Sequence, residues 1–456
     1  MGETLTVVGN RLTAANASVD ELETDYLVVG AGAMAMAFID VVLKKDRKAT
    51  FVVVDRHASP GGHWNDAYSF VTLHQPAEFY GLVSTHLGDG GADLCSLPAI
   101  VAYYVAAMKR FVATGRVTFL SMSKYEGNGM VSSILNPDRQ THVTVRRRLI
   151  DATYLEAKVP SVVKPRYEVA DDVELIPPNA LSRLRKEYGH HVVVGAGKTA
   201  IDAILFLLDG GVASDAITWI VPHDAWLWAR EPVQPGIAMR CVLKMVEAAA
   251  SHDTPDEVFA DLEERGVVLR LDPTGTPTKW RCASVSRGEF AKLRGLANVV
   301  RKGRVRRLER GRITLDAGAH EVPQDALFID CTANGLASAP TKPIFSDDAI
   351  TLQSVFMCQQ TFSASLIGRL AVADMTDAER NEILSPVPHP ELTEHLASSL
   401  LASTQNMIRF SGRFPWWLRR NRLFLSHHEA PHHYLVGCVN MIRFHRRAIA
   451  AGRWEA

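Results

Sequence analysis

Short apolar runs alternate along the chain with longer segments of helical character. A brief, uninterrupted apolar run is typical of a buried parallel strand. Two such runs each lead into a glycine-containing turn, then a predicted helix, then a second apolar run. The predicted strands of these two units are residues 27–29 and 51–55 in the first and residues 192–194 and 216–221 in the second. The predicted helices are residues 33–45 and 198–208.

A meander follows the first unit. Residues 98–114 predict a helix, because Pro98 stands at its start and Gly115 beyond its end. Turn residues then separate three short apolar runs. The predicted strands of the meander are residues 117–125, 130–135 and 141–150.

An internal repeat connects the two units. An Ile-Asp-x-Thr segment occurs at residues 150–153 and again at 329–332, at a similar distance after each glycine turn. This spacing predicts that each unit is closed by a strand whose end lies near its own glycine turn.

The chain beyond these units predicts the domain organisation. Residues 158–188 are rich in proline and are interpreted as a linker. Helical segments follow the second unit, and we expect this region to return to the first unit and complete it. The predicted helices of this region are residues 375–384, 390–410 and 434–453. The predicted fold class is α/β, with two Rossmann-like dinucleotide-binding domains and a helical C-terminal region. The predicted limits are residues 20–185 with 325–456 for the first, discontinuous domain and residues 186–324 for the second.

Composition excludes several classes of protein. The 456 residues include 50 basic and 50 acidic side chains, so net charge gives no reason to expect nucleic acid as a partner. No apolar run reaches the length of a membrane span, and the polar N-terminus lacks a signal-peptide core, so we expect a cytoplasmic protein. The six cysteines form no CxxC pair, which argues against a disulfide reductase and predicts reduced thiols.

The first glycine turn has the residues that a dinucleotide requires. Gly30 permits a tight turn, and Gly32 lets the backbone approach a pyrophosphate at the start of a helix. Ala35 replaces the usual third glycine, as Ala200 does in the second unit. Asp55 ends the next strand, where a carboxylate can accept hydrogen bonds from an adenosine ribose.

The second turn leaves the choice of nicotinamide open. Gly195 and Gly197 repeat the turn, and Lys198 adds positive charge at the start of the helix. His223 and Arg230 favour a 2′-phosphate and therefore NADPH, whereas Asp224 favours NADH. NADPH is the prediction and NADH the alternative.

A motif after the first unit carries a family resemblance. Gly61, Gly62 and Trp64 form a Gly-Gly-x-Trp segment just after the acidic strand end. With the two glycine turns, this order resembles that of the class B flavin-dependent monooxygenases, which include the flavin-containing and Baeyer–Villiger enzymes. The resemblance covers residues 25–336 and implies FAD in the first unit and NADPH in the second. It also implies an enzyme that forms a C4a-(hydro)peroxyflavin from O₂ and oxygenates a small organic substrate.

The resemblance and the turns together predict the site residues. The predicted catalytic residues are His74, Gln75 and Trp64. The predicted cofactor contacts are Gly30, Gly32, Ala33, Met34, Asp55, Arg56, Gly62, His63, Trp64, Gly195, Gly197, Lys198, Thr199, His223, Arg230 and Asn334. No metal site is predicted, and the histidines of residues 427–433 are interpreted as a surface or substrate-lining loop.

Two departures from the family pattern keep other functions open. The Phe-x-Gly-x-x-x-His fingerprint is absent before the second turn, and no arginine follows Gly-Gly-x-Trp as in Baeyer–Villiger enzymes. The chain therefore resembles a divergent member of the group. The alternatives are an FAD-dependent reductase that inserts no oxygen and a non-catalytic nucleotide-binding protein.

Overall fold

The computed structural model describes residues 19–155, 159–333 and 339–429 and the single positions 439, 442, 443 and 446. The strands in chain order are β1 (Val19–Val29), β2 (Phe51–Val54), β3 (Val117–Leu120), β4 (Ser123–Gly127), β5 (Met130–Ser133), β6 (Gln140–Asp151), β7 (Glu168–Val169), β8 (Leu175–Ile176), β9 (His191–Val194), β10 (Ile217–Ile220), β11 (Ala225–Ala229), β12 (Val268–Leu269), β13 (Lys279–Val285), β14 (Asn298–Val300), β15 (Val305–Glu309), β16 (Arg312–Leu315), β17 (Gly318–Glu321), β18 (Leu327–Asp330) and β19 (Ala349–Thr351). The helices are α1 (Ala33–Lys45), α2 (Leu97–Ala113), α3 (Pro178–Leu181), α4 (Lys198–Asp209), α5 (Ala238–Ser251), α6 (Pro255–Glu264), α7 (Arg287–Arg294), α8 (Gln360–Ala371), α9 (Asp377–Ile383), α10 (His395–Arg413) and α11 (Pro415–Arg420). Within these residues, none of the helices has the length and apolarity that a bilayer crossing needs.

The first sheet contains the first glycine turn and is completed by the C-terminal region. Its strand order is β3-β2-β1-β6-β5-β4, and β19 pairs with β6 in parallel. Strands β1, β2, β3 and β6 are also parallel, so their carboxyl ends share one edge of the sheet. Helix α8, which follows β19, packs against α1 so closely that a Cβ on Gly368 would lie 3.1 Å from the carbonyl oxygen of Phe38. The predicted return of the C-terminal region is therefore confirmed; predicted helix 434–453 lies outside the described residues, apart from isolated positions.

The prediction of one strand over residues 117–125 is wrong. The chain leaves the parallel sheet after β3 and enters the antiparallel meander as β4. Met122 separates the two strands in a left-handed conformation, with φ of 47°. Its amide donates to His57 and its carbonyl accepts from Ile134, so the backbone groups at this break remain hydrogen-bonded.

The second sheet is parallel throughout and wider than predicted. Its order is β14-β10-β9-β18-β8. Strand β8 comes from the segment interpreted as a linker, because Leu175 and Ile176 pair with β18. Strand β18 pairs in turn with β9. The expected limits of the second domain, residues 186 and 324, therefore exclude two strands of its own sheet.

A three-stranded sheet, β12-β11-β13, and helices α5 and α6 are inserted into the second unit. Its aromatic side chains belong to the same apolar core as the C-terminal helices rather than to the core of the second sheet. Trp226 stacks on Phe259, with ring centroids 5.5 Å apart. The backbone amide of Trp280 donates to the carbonyl oxygen of Glu391. This insertion therefore joins the second unit to the C-terminal region.

The predicted internal repeat is confirmed by matching geometry at both turns. Asp151, the last residue of β6, pairs with Val29 of β1 and accepts hydrogen bonds from the amide and hydroxyl of Thr153. Asp330 stands beside β9 and accepts the same two bonds from Thr332. In each unit this turn lies against the first glycine. A Cβ on Gly30 would lie 3.0 Å from Thr153, and one on Gly195 would lie 2.8 Å from the carbonyl oxygen of Cys331.

This contact predicts that Gly195→Ala destabilises the protein more than Gly197→Ala does. Gly195 has φ of 124° and no space for a Cβ, whereas Gly197 has φ of −89° and open space. We expect Gly195→Ala to lower the free energy of unfolding by about 2 kcal/mol or more. Urea denaturation followed by circular dichroism measures both variants. Equal stability of the two would contradict a steric requirement for glycine at position 195.

Candidate nucleotide-binding sites

The first glycine turn directs the start of a helix toward the carboxyl edge of the first sheet. Gly30 has φ of 94°, and its amide donates to Val54 at 2.8 Å, which fixes the turn beside β2. Gly32 is the N-cap of α1, and Ala33 and Met34 are its first residues. No side chain of the described residues caps this helix. Its first amides are therefore directed toward the space in which the sequence predicts a pyrophosphate.

Three helices of the protein satisfy their first amides with capping boxes. Thr254, Ser286 and Thr376 form capping boxes at the starts of α6, α7 and α9. Helix α4 resembles α1 instead: its N-cap is Gly197, and no described side chain caps it. Helices α2, α3, α5, α8, α10 and α11 also lack a side-chain cap from the described residues, so the missing cap alone does not set α1 and α4 apart. What distinguishes α1 and α4 is that each begins at a glycine turn at the carboxyl edge of a parallel sheet, which is the arrangement that anion-binding helices show.

Asp55 lies at the end of β2 and is only 5% exposed. One carboxylate oxygen accepts from the amide of Ala31 at 2.6 Å. The other accepts from the amide of His57 at 2.8 Å and lies 2.9 Å from its Nδ1. A carboxylate offers about four acceptor positions, so Asp55 retains capacity for a ribose hydroxyl. Arg56 is exposed at the rim and pairs with Asp66 at 3.1 Å.

The Gly-Gly-x-Trp segment lies directly on the first glycine turn. The amide of Gly61 donates to Ala31 at 2.9 Å. Gly61 and Gly62 have φ of 130° and 57°, and a Cβ on Gly62 would lie 2.9 Å from the Cα of Gly32. Both glycines are therefore required by conformation, and Gly62 also by backbone contact.

Two aromatic side chains follow these glycines, and their environments differ. Burial lowers the pKa of His63 to about 4, so its imidazole is neutral at neutral pH. Trp64 is buried, and its indole N–H donates to the hydroxyl of Tyr80 at 2.9 Å. The polar atom of Trp64 is therefore used within the protein, which indicates that this side chain supports the turn.

His74 and Gln75 are held where the first sheet, the second unit and the C-terminal region meet. The hydroxyl of Ser284, on β13, donates to the carbonyl of His74. The amide nitrogen of Gln359 donates to the side-chain oxygen of Gln75 at 3.1 Å. Gln359 is the N-cap of α8, so the structure brings Gln75 to the start of a second helix at this edge.

The start of α8 is a part of the site that sequence reasoning missed. Gln359, Gln360 and Thr361 each have a buried polar side-chain atom without a hydrogen-bond partner in the described part of the chain. Buried polar atoms are nearly always paired, so three in succession mark a place for a ligand or water. Gln360 also lines a small cleft with Ser354 and other residues. The local sequence gives little indication of this site, because α8 lies beside α1 only once the chain has returned to the first sheet through β19.

A buried arginine clamps the loop that follows Gln75. Arg422 donates to the carbonyls of Glu78, Tyr80, Leu82 and Thr85 at 2.6 to 2.9 Å. The carboxylate of Glu78, 2% exposed, lies 2.9 Å from Nε2 of His428. Within the predicted histidine loop, His428 is thus at the surface and paired with Glu78, and residues 430–433 lie outside the described residues.

A tyrosine links the two glycine turns. Tyr68, four residues after Trp64, donates to Asp202 of α4 at 2.6 Å. Burial, together with the charge of Asp202, raises the pKa of Tyr68, so the hydroxyl remains protonated and donates. Lys198 pairs with the same carboxylate, and Thr199 contacts the Tyr68 hydroxyl. The segment from Gly61 to Gln75 therefore lies between the two predicted nucleotide sites.

The tip of β10 differs chemically from the tip of β2. Gly30 donates to Val54 and Gly195 donates to Ile220, so the position matching Asp55 is Val221. No carboxylate stands there.

Arg230 and His223, both expected at a 2′-phosphate, have different surroundings. Arg230 is engaged by both carboxylate oxygens of Glu289, at 2.8 and 3.1 Å, and by Ser284. All three nitrogens of its guanidinium are thus engaged within the protein, and its contact with a 2′-phosphate stays a prediction. His223 is exposed just after β10, and its contact with a 2′-phosphate also stays a prediction.

Arg301 is the cation that sequence reasoning missed at this tip. It directly follows β14, whose Val300 accepts from the amide of Val221 at 3.0 Å. Arg301 pairs with Asp224 at 2.9 Å. Arg301 lies at this tip because β14 pairs with β10, a pairing that the local sequence does not indicate.

Asn334 and the cysteines are the other residues for which the sequence supplies an expectation. Asn334 lies outside the described residues. The expectation of uniformly reduced thiols is wrong at Cys358, which is disulfide-bonded, whereas Cys95, Cys241 and Cys331 are free.

Comparisons with known proteins agree with this architecture. No family model matches the chain. The uncharacterized protein Rv2000 of Mycobacterium tuberculosis is 42% identical over 386 residues, covering 81% of this chain and 71% of its own. Among solved structures, steroid monooxygenase bound to NADP has a TM-score of 0.52 at 12% identity, over 76% of this chain and 84% of its own. Cyclohexanone monooxygenase from Rhodococcus sp. Phi1 bound to NADP⁺ has a TM-score of 0.50 at 14% identity, over 95% and 98%. The chain shares the fold of these two-dinucleotide-binding-domain proteins, and by sequence it belongs to the family of the mycobacterial protein.

Proposed function

We propose that the chain is an FAD-dependent, NADPH-using monooxygenase that acts with O₂ on a small organic substrate. The observation that carries the proposal is the link between the two uncapped helices. Tyr68 connects the segment on the first turn to α4 at the second turn. Two nucleotides held at these turns would face each other across that segment, as hydride transfer requires.

The residues at the first turn fit FAD. The uncapped start of α1 suits the pyrophosphate, and Asp55 retains an acceptor position for the ribose. The unpaired polar atoms of Gln359 and Gln360 suit the polar edge of the flavin ring. FAD, when bound, accepts hydride from a nicotinamide and in its reduced form reacts with O₂.

The residues at the second turn favour NADPH over NADH. NADH is recognised by a carboxylate that accepts from its ribose hydroxyls, and the matching position here is Val221. Arg301 and His223 instead supply cationic or neutral polar groups at the same tip. Among the described residues, the ion pairs of Arg301 with Asp224 and Asp272 involve only its Nε. All three guanidinium nitrogens of Arg230 are engaged. We therefore assign Arg301, rather than Arg230, as the principal partner of a 2′-phosphate.

The reacting edge is assigned to the meeting point of the three regions. Gln75, held by Gln359, supplies an amide there, and His74 is fixed through its backbone by Ser284. Their role is to orient the substrate and to donate hydrogen bonds in a site closed to water. Trp64 acts behind them, by holding the Gly-Gly-x-Trp turn against Tyr80.

Aspartate substitutions at the two N-cap glycines test the assignment of cofactors. Gly32 and Gly197 have ordinary φ values of −74° and −89°, and a Cβ at either would meet no atom closer than 3.8 Å. Aspartate is also a favoured N-cap, so both variants should fold. We expect Gly32→Asp to lose FAD and Gly197→Asp to stay yellow but resist reduction by NADPH. Visible absorption under anaerobic conditions measures both outcomes.

Each variant is the control for the other. Circular dichroism verifies that both fold. Equal loss of flavin from the two folded variants would show that the cofactors are wrongly assigned to the turns. A wild-type protein that takes up no FAD would refute the proposed function itself.

The preference for NADPH over NADH tests the role proposed for the residues at the end of β10. We expect the wild type to prefer NADPH over NADH by about tenfold or more in kcat/KM, or about 1.4 kcal/mol. Val221→Asp places a carboxylate where Asp55 stands in the first unit, and it should reverse that preference by repelling the 2′-phosphate. Val221→Asn is the uncharged control. A preference that is the same in both variants would contradict the assignment.

The fate of oxygen separates the monooxygenase from the reductase alternative. NADPH consumption, H₂O₂ release and product formation are measured together over a panel of small amines, sulfides and ketones. A monooxygenase releases less H₂O₂ than the NADPH it consumes once a substrate is present. Stoichiometric H₂O₂ with every compound would favour the reductase.

A further inference from the structure

A cluster of cations lies at the end of the first domain opposite the predicted nucleotide sites. Lys44 and Lys45 form the last turn of α1, and Arg369 stands in the last turn of α8. Arg420 ends α11. Gly368, next to Arg369, packs against Phe38 and Val41 of α1, within two turns of Lys44 and Lys45. The guanidinium of Arg369 also lies 4.1 Å from the ring centroid of Phe414, the N-cap of α11, so the helix ends that carry the four cations lie together. In agreement, desolvation and the charges of Arg369, Lys44 and Arg420 lower the pKa of Lys45.

This cluster is not neutralised by nearby acids. Lys44, Lys45, Arg369 and Arg420 form no ion pair with any described residue. Two acids lie on or just after α1 near these lysines, and both have other partners. Asp46 pairs with Arg147 at 2.8 Å, and Asp40 is buried and accepts from Ser84. The whole chain has no net charge, so this concentration of positive charge is local.

An exposed tryptophan stands within the same surface. Trp416 lies on α11 and is 76% exposed, whereas its neighbour Trp417 packs on Phe410 with ring centroids 5.7 Å apart. Helix α11 is fixed to the cations because the guanidinium of Arg369 lies 4.1 Å from the ring centroid of Phe414, the N-cap of α11. A large apolar ring held in water beside four unpaired cations costs free energy unless a partner covers it.

We propose that this basic tryptophan surface, formed by Lys44, Lys45, Arg369, Trp416 and Arg420, docks the protein on an anionic lipid surface. Cations attract acidic headgroups, and an indole ring is favoured at the headgroup level, where it is partly apolar and partly hydrated. A polyanion without apolar groups, such as heparin, would satisfy the cations but leave the ring of Trp416 in water. The proposal is independent of the proposed function.

The geometry allows docking without obstruction of the nucleotide sites. Helix α1 runs from Gly32 at the first turn to Lys45 at this surface. Its 13 residues span about 20 Å. A bilayer that contacts the surface would therefore lie at the opposite end of the domain from FAD.

Vesicle sedimentation tests the proposal. The full-length protein is mixed with vesicles of phosphatidylglycerol and phosphatidylcholine, or of phosphatidylcholine alone, at low and high salt. We expect binding only to the anionic vesicles, and loss of it at high salt because screening weakens the attraction. Lys45→Gln with Arg420→Gln should lower the partition coefficient by about fivefold per cation, or about 25-fold. Arg287→Gln with Arg294→Gln, on α7 of the second unit, is the matched control and should bind as the wild type does.

Trp416 distinguishes a lipid surface from another polyanion. On addition of anionic vesicles the wild type should show a blue shift in tryptophan emission that is absent in Trp416→Phe. Trp416→Ala should weaken binding to vesicles while leaving binding to heparin unchanged. Wild-type protein that ignores anionic vesicles would overturn the proposal. So would binding of heparin and vesicles that responds to the cations but not to Trp416.

Discussion

In both halves of the molecule, the geometry depends on a close contact between the first glycine of the turn and the end of a neighbouring strand. Gly30 contacts the residues that follow β6, and Gly195 contacts the residue that follows β18. Gly30 and Gly195 adopt conformations that other residues avoid, and each lies against the Asp-x-Thr turn of a neighbouring strand. That contact places the following helix over the carboxyl edge of its sheet. The uncapped helix starts, the strand tips and the Gly-Gly-x-Trp segment take their positions from it.

The two units use this shared backbone for different chemistry. The first unit ends its second strand with a buried carboxylate already engaged by Ala31 and His57, whereas the second ends the matching strand with an apolar side chain. The first turn is covered by Gly61 and Gly62, and the second is bordered by Tyr68 and Lys198. A few side-chain differences at equivalent positions therefore suit the two turns to different nucleotides.

Local sequence patterns predicted the elements that form from nearby residues. Helix α1, the two central strands and both turns agree with the apolar runs and glycines, because parallel strands and glycine turns leave strong local signals. The roles of Arg301 and Gln359 depend on strands β14 and β19, which bring distant residues to the site and leave weak local signals. The ion pair of Arg230 with Glu289 could not be predicted, because Glu289 lies on α7, a helix that the sequence analysis did not place. Met122 broke a predicted strand through a conformation that periodicity does not report.

The clamp made by Arg422 has a consequence for the order in which the protein assembles. Its hydrogen bonds join residues more than 330 positions apart, and β19 reaches the first sheet only after the whole second unit has been made. Contacts between distant residues form slowly, and domains fold as units during synthesis. The second sheet, built from one continuous stretch, can thus be complete on the ribosome while the first sheet still lacks its last strand. Loading of a flavin would then be among the final events of biogenesis, after the C-terminal segment has left the exit tunnel.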